Sequence, residues 1–447
     1  MSSKGSFSYT IAVGFMLFAL FFGAGNLIFP VQIGQLAGSN VFSANFGMLI
    51  TGVGLPVLGI LALAFSGKSD LESLAGRVNP FYGVFFTVAL YLTIGPLFAI
   101  PRTNTVAYEI GIVPFLENQS SYLPLFIFTI VFFGLTLYFS LKSSKIVDIV
   151  GKVLTPILLV VIAILIIAAF VNPIGAIQDP TETYATNSFF KGFQEGYNTM
   201  DALAAFVFGI IIINIMKERG ARTKKEIMVS TGKVAIVAGV LLAAIYSSLA
   251  FLGATSVEGF GILENGGAVL AAASQHFFGW YGKVILAVIV IAACLTTSIG
   301  LITSCAAYFT KLIPALSYKR WAVIFTLFSA VISNFGLSKI ISFSIPVLVA
   351  LYPLTICLMA LTFLHPLFKG RKEVYQVSIF VTLVLSINDG LNAAGVKIAA
   401  INDLFTSILP LYSVGLGWIV PAIVGGVIGY LISIIKHGAL NPEPIEE

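Results

Sequence analysis

The chain has 447 residues, of which 58% are hydrophobic and only 10% charged; its mean hydropathy is +1.02, whereas a soluble domain has roughly a quarter of its residues charged. A soluble globular fold is thereby excluded, and apolar spans of about 20 residues fill the chain without room for a soluble domain. The net charge of +5 sits in short loops between apolar spans, so it points to topology and to a lipid bilayer as surroundings, not to nucleic acid.

Twelve transmembrane helices are predicted, near residues 8–36, 41–66, 81–111, 122–141, 146–171, 189–216, 226–253, 281–313, 320–336, 340–365, 373–390 and 406–436. The polar start, residues 1–8, carries no cleavable signal peptide. The first span is interrupted at Phe21-Phe22-Gly23-Ala24-Gly25-Asn26-Leu27-Ile28-Phe29-Pro30. Backbone groups freed at that depth are tolerated only where they face protein or a polar ligand. With an inner half ending near Phe22 and an outer half starting near Gly25, free N–H groups and a positive dipole end would face a substrate carboxylate. Carbonyls at the end of the inner half, including Ala19 and Phe22, would be free for a hard cation. The alternative is that small residues only permit close helix packing.

In the third span, Pro96 and Pro101 are expected to bend the helix and set Phe98 as an apolar wall of the pocket. Arg102 and Glu109, seven residues apart, share a helix face. They form either an outer gate or a solvated, snorkelling pair. The sixth span should break like the first, at Gly192-Phe193-Gln194-Glu195-Gly196-Tyr197-Asn198-Thr199-Met200-Asp201-Ala202-Leu203. Asp201 lies near mid-span, where an ionisable group is functional by default. It holds a substrate ammonium, binds a cation, carries a proton, or partners a buried donor such as Asn26. The predicted substrate-binding set is Gly23, Ala24, Gly25, Asn26, Phe98, Tyr197, Thr199, Met200, Asp201 and Leu203.

Residues 257–279 read as an outer loop with some helix. In the eighth span, the hydroxyls of Thr296-Thr297-Ser298 either supply oxygen ligands or bond their own i−4 carbonyls. Cys294, Cys305 and Cys357 all fall in apolar stretches, and His276, His365 and His437 are isolated, so no disulfide framework, Cys/His metal site or organic cofactor is expected. One mid-span Asp with no His or second carboxylate close in sequence argues against an enzyme.

With the N-terminus inside, all but five of the 24 Lys and Arg fall to the cytoplasmic side; the five are Arg102, Lys191, Lys283, Lys339 and Lys397. That asymmetry places both termini inside. Spans one to five (about 8–171) then start inside and spans six to ten (about 189–365) start outside, a five-plus-five inverted repeat with broken helices 1 and 6. Two further helices (about 373–436) complete a single transporter domain over 1–447.

Three segments, Phe18 to Pro30, Gly95-Pro96-Leu97-Phe98-Ala99-Ile100-Pro101-Arg102-Thr103, and Thr199-Met200-Asp201-Ala202-Leu203-Ala204-Ala205, resemble the bacterial branched-chain amino acid:cation symporters of the BrnQ type, from first span to last. The resemblance implies uptake of leucine, isoleucine and valine across the bacterial plasma membrane by alternating access, driven by Na⁺ or in some members by H⁺. Gly23-Ala24-Gly25-Asn26 with Phe29-Pro30-Val31-Gln32, and Ala293-Cys294-Leu295-Thr296-Thr297-Ser298, are similar to the bacterial leucine transporter. That second resemblance implies a leucine-transporter-like fold and a Na⁺ site made by the carbonyls of Ala19, Phe22 and Ala293 with Thr296 and Thr297. A channel or an amino acid sensor remains the other reading, since broken helices also line pores.

Overall fold

The computed structural model describes residues 7–117, 122–141 and 145–438; these form helices and turns, with no β-strand among them. Lys4 and Lys142, counted to the cytoplasmic side, lie outside the described residues. In lipid, a spanning segment must satisfy its own backbone N–H and C=O groups, and apolar runs of this length do so as helices. Among the described residues eight helical stretches are long and apolar enough to cross a membrane, or nine if the pair Ser188–Thr199 and Asp201–Glu218, bent by 46°, is one span. The count falls below twelve because Pro156–Val171 and Tyr318–Ser333 are short, and because the first span is split into the short Phe7–Phe21 and a second half that runs on with the next span as Ala24–Ser66.

The first apolar segment is two helices, α1 (Phe7–Phe21) and α2 (Ala24–Ala37), with Gly23 extended between them (φ −114°, ψ −163°). Next, α3 (Val41–Leu49) passes through a π-helical turn, Ile50–Gly54, into α4 (Leu55–Ser66). Asp70 caps the short α5 (Leu71–Ala75) by accepting the Ser73 amide. A second π-helical turn, Thr93–Leu97, separates α6 (Pro80–Leu92) from α7 (Ala99–Gly111), and Gly95 within it leaves helical geometry (ψ −126°). The bend therefore centres on Gly95-Pro96. Pro101 stays in the first turn of α7, where a missing N–H forfeits no hydrogen bond.

Two long helices follow, α8 (Leu123–Leu141) and α9 (Lys145–Val171), then α10 (Glu182–Ala185) and α11 (Ser188–Glu195). A 3₁₀ turn, Gly196–Thr199, leads into α12 (Asp201–Glu218). Residues 257–279 contain more helix than the sequence suggests: α13 (Lys224–Phe260) runs into them and α14 (Gly266–Leu312) begins within them, kinking at Gly279 (φ 59°). The remainder is α15 (Tyr318–Ser333), α16 (Leu337–Leu364), α17 (Lys372–Ala393), α18 (Ala399–Ile408) and α19 (Ile419–His437).

Packing places the two interruptions together. Both α1 and α2 lie along α13, while α11 packs on α3 and α12 on α4. Glycines allow these backbones to touch: a Cβ on Gly34 would stand 1.9 Å from the Ala250 carbonyl oxygen, and one on Gly253 2.1 Å from that of Val31. A Cβ on Gly192 would likewise meet the Ala44 oxygen at 1.8 Å. The broken segments are thus seated on α13 and α3 with no room for a side chain at these three glycines.

Candidate functional site

The break in the first segment is closed by its own sequence. The Asn26 side-chain carbonyl accepts the Gly23 amide at 3.1 Å, so one of the free N–H groups at the start of α2 is satisfied locally. The amide nitrogen of Asn26 then crosses to the other break, donating to Asp201 Oδ2 at 2.6 Å and to the Tyr246 hydroxyl. Tyr246, from α13, donates in turn to the same Asp201 oxygen at 2.9 Å. All three side chains are buried. Asp201 does have the Asn26 partner that the sequence offers as its structural alternative, and Asn26 and Tyr246 converge on its Oδ2.

The second break turns at Met200, a non-glycine residue in the left-handed region (φ 63°, ψ 7°). A residue there costs of order 1–3 kcal/mol and persists only where its surroundings fix it. Here the Met200 amide donates to the Tyr197 carbonyl at 3.0 Å. The Thr199 hydroxyl donates to Gly196 O at 2.9 Å and accepts the Asp201 amide at 3.3 Å.

Arg102 lines the space between the breaks, apart from Glu109. Only 4% exposed, it reaches from the first turn of α7 into the gap between the breaks, donating from Nη1 to Asn198 O at 2.6 Å and from Nη2 to Thr199 O at 3.4 Å. Its guanidinium stands 5.1 Å from the centre of the Phe29 ring. These bonds use carbonyls that the end of a helical turn leaves free. Glu109, two turns further along α7, is half-buried and does not share the site.

A cavity of about 40 Å³ lies between the breaks, lined by Gly23, Ala24, Gly25, Asn26, Thr199, Met200, Asp201, Arg102, Thr103 and Thr297. Its apolar wall is Leu20, Phe21, Ile94, Ala99, Ala204, Phe208 and Leu301. Since one water takes about 10–15 Å³ of such space, the site as it stands is narrow. Three predicted residues do not line it. Phe98 is buried just before α7, beside the lining residue Ala99. Tyr197 stacks on Tyr352, ring centres 4.1 Å apart. Leu203 is fully buried two residues past Asp201, a spacing that puts it on another face of α12.

Of the predicted cation ligands, Thr297 reaches the first break: a Cβ on Gly23 would lie 3.6 Å from its hydroxyl oxygen. Both Thr296 and Thr297 donate to the Ala293 carbonyl, at 2.8 and 3.1 Å, as the alternative reading has it. A hydroxyl that donates its proton keeps lone pairs for a cation, so these bonds are compatible with either role. Ala19 and Phe22 lie at the carbonyl end of α1, which the helix leaves unpaired. The three cysteines are buried and free. Sequence reasoning missed Tyr246 and the place of Arg102. The signal for Tyr246 was a single phenol followed by Ser247 and Ser248 in an otherwise apolar run; for Arg102 it was a cation one turn beyond a Gly-Pro break.

Residues 6–436 match the family described as "Branched-chain amino acid transport protein". The branched-chain amino acid permease BrnQ of Bacillus subtilis (strain 168) is 56% identical over 436 residues, covering 98% of this chain and 99% of that one. BrnQ of Escherichia coli (strain K12) is 42% identical over 417 residues, 93% of each. Among solved structures, the nucleobase-cation-symport-1 transporter Mhp1, closed with bromovinylhydantoin bound, superposes with a TM-score of 0.61 at 13% identity, over 97% of this chain and 94% of its own. MhsT in complex with L-phenylalanine gives 0.56 at 16% identity, over 95% and 98%. The two share this fold, which is leucine-transporter-like.

Proposed function

The chain belongs to the branched-chain amino acid transport family, a family of multi-pass membrane transporters and not of enzymes, and on that basis we propose that it is a symporter importing leucine, isoleucine and valine by alternating access, with Na⁺ as the coupling ion. The observation that carries the reading is the meeting of two helix breaks around one cavity, tied by Asn26, Asp201 and Tyr246. Broken helices that present free amides and carbonyls to one cavity suit a substrate carboxylate and a cation held together. The neighbours lend support: one is named as a cation symporter, one holds an amino acid, and Mhp1 matches in both its closed and its inward-facing form.

The substrate lies, in this reading, among Gly23, Ala24, Gly25, Asn26, Thr199, Met200 and Asp201, and the ion between the Ala19 and Phe22 carbonyls, the Ala293 carbonyl, Thr296 and Thr297. Twelve spans with both termini on the cytoplasmic side of a bacterial plasma membrane complete it. The five-plus-five repeat has support in the packing, where α1–α2 on α13 is matched by α11–α12 on α3–α4. A proton route through Asp201 is the second reading, since a buried mid-span carboxylate is itself a group that can carry a proton.

The test is competition for labelled leucine uptake into proteoliposomes. One methylene in an apolar pocket is worth only about 1–3 kcal/mol, so isoleucine and valine should both compete. Lysine and glutamate should not; displacement by either as effective as that by isoleucine would refute the assignment.

A further inference from the structure

Arg102 and Asp201 are opposite charges, both buried and both lining the same cavity. Among the described residues they form no ion pair within 4.0 Å. Each is instead held on its own side: Arg102 by the carbonyls of Asn198 and Thr199, Asp201 by Asn26 and Tyr246 on its Oδ2. Neutral carbonyls do not cancel a buried guanidinium, which is costly unless a full negative charge comes to meet it. Arg102 also has donors to spare, since only Nη1 and Nη2 are engaged and Nε is buried without a partner.

What faces the guanidinium across the break is a second source of positive potential. A Cβ on Gly25 would fall 2.8 Å from Nη2, so the Arg102 head rests against the first turn of α2, where unpaired amides point outward. Two positive features converging on one wall of a cavity, with a carboxylate on another, complement a zwitterion.

We propose that Arg102 anchors the carboxylate of the transported amino acid together with the first amides of α2, leaving Asp201 to receive the ammonium end. The inference rests on the transport reading above and adds to it the residue that fixes which way round the substrate lies. It also makes the carboxylate obligatory. A residue that only stapled the broken sixth span would need hydrogen-bond donors, not a charge that neutral carbonyls leave unbalanced.

The experiment is equilibrium binding to the purified full-length chain in sodium buffer, comparing leucine with leucinol, in which an alcohol replaces the carboxylate and the ammonium is kept. Wild type should bind leucine about 10- to 100-fold more tightly, the range for a hydrogen bond to a charged group. Arg102→Gln should lose that factor for leucine and leave leucinol unchanged; Arg102→Lys, lacking the planar fork, should lose part of it. Equal weakening of both ligands, an unchanged leucine-to-leucinol ratio in either variant, or a wild type that does not distinguish them would overturn the proposal. Should Arg102→Gln fail to fold, Arg102→Lys and the wild-type ratio decide it. A wild type that binds none of leucine, isoleucine or valine would sink the transport reading itself, a result distinct from all of these.

Discussion

Asp201 takes Asn26 and Tyr246 on one oxygen, an arrangement that keeps the carboxylate oriented at the cavity it lines. Asp201→Asn preserves an acceptor for Asn26 and Tyr246 but removes the charge, so concentrative leucine uptake should fall to near background in a protein that still folds. Uptake at the wild-type level would make Asp201 a structural partner only. Thr297 and Ser298 form a similar contrast between neighbours. Thr297 abuts Gly23, whereas Ser298 is fully buried and takes the Thr136 hydroxyl of α8 at 3.4 Å. Losing a ligand to a charged species costs about 1.5–3 kcal/mol, so Thr297→Ala should raise the Na⁺ concentration for half-maximal uptake roughly 10- to 100-fold. Ser298→Ala should leave it nearly unchanged, and equal shifts for the two variants would remove Thr297 from the ion site.

Helix breaks are legible because glycines and polar residues stand out inside apolar runs, and both interruptions are where the sequence puts them. What it does not reveal is which helix each break rests on. Tyr246 lies 45 residues from Asp201 and 220 from Asn26, and Arg102 lies 96 from Asn198. Such pairings depend on how α7 and α13 rotate against the breaks, and periodicity within one apolar helix does not encode that. The glycine contacts set part of that rotation. Gly253→Ala would drive a Cβ into the Val31 carbonyl at 2.1 Å, so α2 and α13 must separate; overpacking of this kind costs about 1–3 kcal/mol. Its thermal midpoint in detergent should drop measurably. Gly134→Ala, in α8 with nothing within 4 Å, should hold or gain stability by about 0.5–1 kcal/mol. An unchanged midpoint for Gly253→Ala would mean that this backbone contact does not hold the fold.

Over the whole molecule, the Lys and Arg asymmetry is the argument for both termini lying inside, and Arg102, buried at the cavity, weighs for neither face. The topology it implies can be read by labelling. Glu218→Cys, exposed at the end of α12, should react with a membrane-impermeant thiol reagent only from the cytoplasmic side, and Glu182→Cys, exposed on α10, only from outside. Labelling of both from one face would contradict the twelve-span arrangement. Coupling to sodium is read out by leucine uptake into proteoliposomes under an imposed Na⁺ gradient at equal pH, set beside an imposed pH gradient in sodium-free buffer. Concentrative uptake with the Na⁺ gradient, and none with the pH gradient alone, is the predicted result. Full uptake in sodium-free buffer that follows the pH gradient would contradict it and leave proton movement through Asp201 as the mechanism.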